Sequence, residues 1–104
     1  MVNTQHDVIV LSSSILKKYP VKRAALFGSF VRNEQTSVSD VDLLLDLGTD
    51  NLHPKAYYIY ELLDELEVLL GRKIDCITVN GLRQRPFDKL EQSIKEEGLW
   101  FYET

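Results

Sequence analysis

Val8, Leu11 and Ile15 recur at helical spacing behind a polar leader and predict an amphipathic helix over residues 5–18. Thr4 is placed to cap it, Asp7 lies three residues on near its positive end, and Pro20 stops it. The mostly apolar run "KRAALF", residues 22–27, predicts a strand; 29–33 suit one or two turns of helix and 34–39 a polar loop. "SDVDLLLDL", residues 39–47, predicts a second strand, closed by Gly48 and the turn-forming "GTDN". Pro54 suits the first turn of the next helix, whose apolar face is Ala56, Ile59, Tyr60, Leu63, Leu66 and Leu70, with Gly71 as its stop. The β-branched content of "KIDCITV", residues 73–79, favours a third strand. Pro86 opens a last helix with Phe87, Leu90 and Ile94 inward and Gly98 closing it, and "LWFYE" follows as an apolar tail. No repeat, linker or low-complexity stretch interrupts this order. It predicts one α/β layer domain spanning residues 1–104 and built on a small sheet.

Composition narrows the class. The 104 residues have room for one domain and little for a second, and a hydrophobic fraction of 44% argues against disorder. The net charge of −4 offers no basic footprint for nucleic acid. Short basic clusters (Lys17-Lys18, Lys22-Arg23, Arg72-Lys73, Arg83 with Arg85) each lie near acids and read as mixed solvated surface. Cys76 is the only cysteine, which excludes an intrachain disulfide and a zinc knuckle and fits a reducing compartment. The N-terminal apolar run, Val8 to Leu11, is too short for a signal peptide or a membrane span, so a soluble, cytoplasmic protein is expected.

What this picture does not absorb is a set of carboxylates in apolar surroundings. In a strand Asp40 and Asp42 share a face, with Cα atoms roughly 6–7 Å apart. Two oxygens at that spacing can share a divalent ion; Mg²⁺ takes oxygen ligands at about 2.0–2.1 Å and fills its octahedron with waters and phosphates. Asp75, in the third strand, completes a triad if the second and third strands are neighbours. A bare D-x-D is common, and two solvated acids at a strand entrance would look the same. Gly28-Ser29 changes the balance. Glycine after a strand lets backbone approach a ligand, and Ser29 offers a hydroxyl and an N–H at the start of a helix, where phosphate is favoured. A phosphate cradle beside a metal-binding carboxylate pair is what phosphoryl or nucleotidyl transfer needs.

The stretch "LFGSFVRNEQTSVSDVDLLLDL" closely resembles the signature of the minimal nucleotidyltransferases of the DNA polymerase beta superfamily. It carries a Gly-Ser turn, an arginine three residues after the serine, a loop ending in Ser-Asp, and an Asp-x-Asp strand; "KIDCI" supplies a match for the third carboxylate. The similarity in element order covers nearly the whole chain. It implies the nucleotidyltransferase fold (α+β in some schemes), a small mixed β-sheet with helices packed on it. Asn33 stands where the family commonly has glycine, and since Asn tolerates a left-handed backbone the turn is expected to survive. By the resemblance, Gly28 and Ser29 bind nucleotide phosphates, Asp40 and Asp42 hold two Mg²⁺ ions, and Asp75 ligates one metal and activates the acceptor hydroxyl. Arg32 matches a family position as a nucleotide contact, with an ion pair to Glu34 or Asp40 as the competing role.

The remaining candidates read as structure. His6 and His53 are isolated surface residues; Cys76 faces away from Asp75 as a small core residue; Asp46 is solvated or pairs locally; at most two of Tyr57, Tyr58 and Tyr60 are core. Polymerases, tRNA nucleotidyltransferases and antibiotic nucleotidyltransferases add regions for which 104 residues leave no room, so the acceptor is expected from a partner or a second protomer. The family pairs such modules with a small helical HEPN-type protein, often a ribonuclease toxin, expected to be encoded nearby. That implies an antitoxin that transfers AMP from ATP to a tyrosine of its partner, within a hetero-oligomer. The alternatives are a non-catalytic nucleotide-binding module that neutralises by contact, and a small-molecule nucleotidyltransferase.

Overall fold

Four strands form one mixed sheet, with the described helices on one side of it. The computed structural model describes residues 2–48, 58–79, 81 and 96–104. In chain order these hold α1 (Gln5–Leu16), β1 (Arg23–Phe27), α2 (Ser29–Arg32), β2 (Val41–Asp46), α3 (Tyr58–Leu70), β3 (Ile74–Thr78) and β4 (Leu99–Glu103). The strand order across the sheet is β3-β2-β1-β4. The expected helix start at Pro54 and Ala56, and the inward Phe87, Leu90 and Ile94, lie outside the described residues, as do His53 and Tyr57.

Alternation along β1 and β2 decides which side is which. Ala24 and Leu26 of β1, with Val41, Leu43 and Leu45 of β2, join the main core beneath α1 and α3. Ala25, Phe27 and Leu44 point to the opposite face, where they form a smaller cluster with Ile77 and Val79. β1 pairs antiparallel with β2, bringing Phe27 opposite Asp42 and Arg23 opposite Asp46. β2 and β3 run parallel, which requires a crossover, and α3 supplies it.

The helices are set as the chain chemistry dictates, with two shifts. The Thr4 hydroxyl accepts the Asp7 N–H at 3.1 Å, the expected N-cap. The fully inward positions of α1 are Val8, Ser12 and Leu16, with Leu11 and Ile15 only partly buried. On α3 they are Leu62, Leu66 and Leu70. Tyr60, expected on that face, is 74% exposed, because two residues along a helix is roughly 200° of rotation from Leu62. Tyr58 instead packs on the core and stacks on Tyr19, ring centroids 5.8 Å apart.

The largest departure is at the C-terminus. "LWFYE" is an edge strand, β4, which pairs antiparallel with β1 and bulges between its contacts with Ala24 and Ala25. Trp100, opposite Ala25, carries the Arg23 guanidinium over its ring at 4.3 Å. A run of four apolar and aromatic residues followed by an acid has no clean period of two, so only pairing reveals it as a strand. Among the described residues no helix is long and apolar enough to cross a membrane.

Candidate active site

The expected site residues converge at one end of the sheet, on the face opposite the helices. β1 ends at Phe27 and the chain turns at Gly28, with φ +78° and ψ −152°, a conformation open essentially to glycine. α2 is a single turn: the Gly28 carbonyl accepts the N–H groups of Val31 and Arg32 at 3.1 and 3.3 Å. A helix this short contributes little dipole, so any cradle here consists of individual donors at Ser29 and Phe30. Asn33 closes the turn with φ +60°, left-handed as expected, and both its N–H and that of Glu34 return to the Ser29 carbonyl.

Asp40 precedes β2, which starts two residues later than the strand expected over 39–47, and it is exposed. Asp42 lies within β2 and is half-buried. Asp75 stands directly across from it in the parallel register, exposed at the surface of β3. Parallel pairing therefore produces the strand neighbourhood that a triad needs. Burial, then the Asp75 carboxylate, then that of Asp40 push the Asp42 carboxyl up to about 6, against partial relief from Arg32. Its cross-strand neighbour is Phe27, itself buried.

This crowding is the test of whether the residues fit a metal. Three carboxylates, one of them held away from water without a bonded cation, make an all-oxygen donor set of the kind a hard divalent ion takes. Among the described residues no three acidic, histidine or cysteine side chains already enclose a metal position. The donor chemistry fits Mg²⁺, and the closing of the shell would fall to waters and nucleotide phosphates.

Gly28 sits directly under this group. A β-carbon on Gly28 would come within 2.1 Å of Asp42 Oδ2 and 3.0 Å of its Cγ. Arg32 is exposed at the rim and donates to Glu97 at 2.9 Å and to Glu34 at 3.2 Å. The expected Glu34 pair is present, and Glu97, distant in sequence, is a second partner.

Farther along the same face, Asp46 pairs locally. Arg23 Nε and Nη2 donate to its Oδ2 at 3.0 and 2.9 Å, and the Gly48 N–H donates to Oδ1 at 2.9 Å. Burial alone would raise this carboxyl, but the Gly48 and Arg23 hydrogen bonds prevail and hold it below its ordinary value. Cys76 packs against the main core, away from Asp75, and burial followed by the Asp75 charge pushes its thiol up to about 12. It is an inert core residue, as expected. His6 is exposed.

Another residue contradicts its sequence reading. Arg72, grouped with solvated basic clusters, is 6% exposed. Its Nε donates to the Val2 carbonyl (2.6 Å), Nη1 to the Thr36 and Ser39 carbonyls (both 2.8 Å), and Nη2 to Asn3 Oδ1 (3.1 Å). Its position just after the Gly71 helix stop was the only local hint.

A four-stranded mixed sheet thus carries a Gly-Ser turn and three neighbouring carboxylates at one end. Residues 9–101 match the nucleotidyltransferase domain family, and the chain belongs to it: it is a transferase of that class. Among its relatives, a Methanocaldococcus jannaschii protein, provisionally named a protein adenylyltransferase, is 39% identical over 95 residues, spanning 90% of this chain and 91% of its own. The protein adenylyltransferase MntA of Thermococcus cleftensis is 34% identical over 67 residues, 64% of this chain and 65% of its own. The fold matches a provisionally identified minimal nucleotidyltransferase with TM-score 0.71 at 23% identity, over 92% of this chain and 94% of that one. It also matches a chain of a toxin–antitoxin crystal structure with AMP-PNP, with TM-score 0.66 at 24% identity, over 94% of this chain and 73% of that one.

Proposed function

We propose that this protein is a cytoplasmic, Mg²⁺-dependent protein adenylyltransferase. As the antitoxin of a pair, it moves AMP from ATP to a tyrosine hydroxyl of a HEPN-type helical partner. The observation that carries the reading is Asp75 aligned with a half-buried, charge-crowded Asp42, directly above the Gly28-Ser29 turn. The protein-acceptor class is supported by the names of the relatives, and the antitoxin role by the toxin–antitoxin complex whose chain shares this fold.

The residues divide the work. Gly28 and Ser29 hold the triphosphate through N–H groups and the Ser29 hydroxyl. Asp40, Asp42 and Asp75 would hold one or two Mg²⁺ ions, which when bound supply electrostatic stabilisation of the charge developing on the phosphate oxygens. Asp75, exposed at the rim where an acceptor can reach, takes the proton from the tyrosine hydroxyl. The hydroxyl oxygen bonds to the α-phosphorus, the α–β phosphoanhydride bond breaks, and pyrophosphate leaves. Arg32 Nε and Nη1 are engaged by Glu34 and Glu97, so a phosphate contact would fall to Nη2 or displace one of these partners.

The direct test is mass spectrometry of the product of the adjacent reading frame after incubation with this protein, ATP and Mg²⁺. AMP on a tyrosine is the expected result. An unmodified partner that is nevertheless neutralised would replace catalysis with neutralisation by contact, and labelled aminoglycosides in a parallel reaction would expose a small-molecule acceptor instead.

A further inference from the structure

A buried arginine needs its charge and its donors satisfied, and the way Arg72 achieves this reaches the segments that carry Ser29 and Asp40. Among the described residues its partners are oxygens of backbone and amide, with no carboxylate in ion-pairing range, and its guanidinium lies 4.9 Å from the ring of Phe30. Phe30 follows Ser29. Thr36 and Ser39 bound the loop that ends at Asp40. Arg72 itself stands three residues before Asp75.

The loop between α2 and β2 has no regular structure of its own. It closes on itself through the Ser39 N–H to the Thr36 carbonyl (3.2 Å) and the Thr36 N–H to Ser39 Oγ (2.8 Å). This turn presents two carbonyls to the single Nη1 atom of Arg72. Two residues beyond the turn, the Val41 N–H donates to the Lys73 carbonyl at 2.9 Å. Asp40 is therefore suspended between two anchors, the Ser39 carbonyl on Arg72 and the Val41 N–H on Lys73. Both anchors belong to the segment that leads directly into Asp75.

We propose that Arg72 is a positioning residue for nucleotidyl transfer: its guanidinium fixes the loop that delivers Asp40 and so sets the spacing of the carboxylates that take the metal. The proposal rests on the reading of Asp40, Asp42 and Asp75 as the metal-holding group. Lysine cannot substitute, because a point-charge ammonium lacks the planar fork that reaches Val2, Asn3, Thr36 and Ser39 together. A purely structural clamp would affect melting without touching metal affinity in the folded protein.

The test is Mn²⁺ titration followed by electron paramagnetic resonance in the presence of AMP-PNP, on the full chain, with melting curves alongside. Arg72→Lys should fold and bind Mn²⁺ on the order of 10–100-fold more weakly, the usual effect of removing support behind a ligand. In an Asp40→Asn background, itself weakened, the same change should add little, since both act through one ligand. Wild-type Mn²⁺ affinity in Arg72→Lys, or an equal loss in both backgrounds, would overturn the proposal while leaving the site reading intact. Unchanged affinity in Asp40→Asn alone would overturn the site reading and the proposal together. If Arg72→Lys does not fold, Asn3→Ala removes one acceptor that holds the guanidinium in place and keeps its charge; a roughly 3-fold loss is expected there, and wild-type affinity overturns the proposal.

Discussion

The Asp42 carboxylate lies over the α-carbon of Gly28, so close that a β-carbon at Gly28 would stand 2.1 Å from Oδ2. The Gly-Ser turn thus makes room for a carboxylate of the protein itself. Gly28→Ala should fail on two counts. Its backbone conformation costs a side chain on the order of 1–3 kcal/mol, and Asp42 must leave its place. We expect a lower melting temperature and loss of Mg-ATP binding by calorimetry. In an Asp42→Ala background the melting penalty should shrink but persist, because the backbone strain remains; complete recovery would assign the whole effect to the clash.

Asp42→Asn and Asp40→Asn should each abolish transfer with the fold intact, at a cost on the order of 100-fold or more in rate. Asp42→Asn should also raise the melting temperature of the metal-free protein, since it relieves a half-buried charge crowded by Asp75 and Asp40. Activity retained in both variants with Mg²⁺ present would remove the metal assignment.

Asp75 makes no hydrogen bond among the described residues and is exposed, so a structural role has little to stand on. Asp75→Asn should leave stability within about 0.5 kcal/mol of wild type. It should still bind ATP and block transfer to the partner. A folded, nucleotide-binding variant that modifies the partner at the wild-type rate would end the role of Asp75 as base.

Asp46 gives the pH dependence. Its carboxyl is held below the ordinary value in the folded state, so its contribution to stability is fully present above the unfolded carboxylate range, about pH 4, and is lost as pH falls through the lower folded value. Asp46→Asn should therefore cost roughly 1 kcal/mol at pH 7 and almost nothing near pH 2. Urea titrations at both values, read by the fluorescence of Trp100, which lies under Arg23, would check this. An equal penalty at both pH values would mean the ionised pair contributes nothing.

Much of this protein is legible in the chain because periodicity is local. The alternation of Val41, Asp42, Leu43, Leu44, Leu45 and Asp46 is enough to put the acids on the face away from the helices. The Thr4 cap, the Gly28 turn, the tolerance of Asn33 for a left-handed backbone and the inert Cys76 each depend on a few neighbouring residues, and each stands as read.

What tertiary structure alone decided involves partners far apart in sequence. The parallel register across α3 aligns Asp42 with Asp75, 33 positions on. "LWFYE" becomes a strand only because β1 has a free edge to offer, and Glu97 reaches Arg32 only once the C-terminal segment returns to the sheet. Arg72 looks like surface in a charged dipeptide, and becomes interior because the oxygens of Val2, Asn3, Thr36 and Ser39 gather around it. Hydrophobic pattern sets which face a side chain takes; whether a charge is exposed or buried depends on which distant groups arrive to satisfy it.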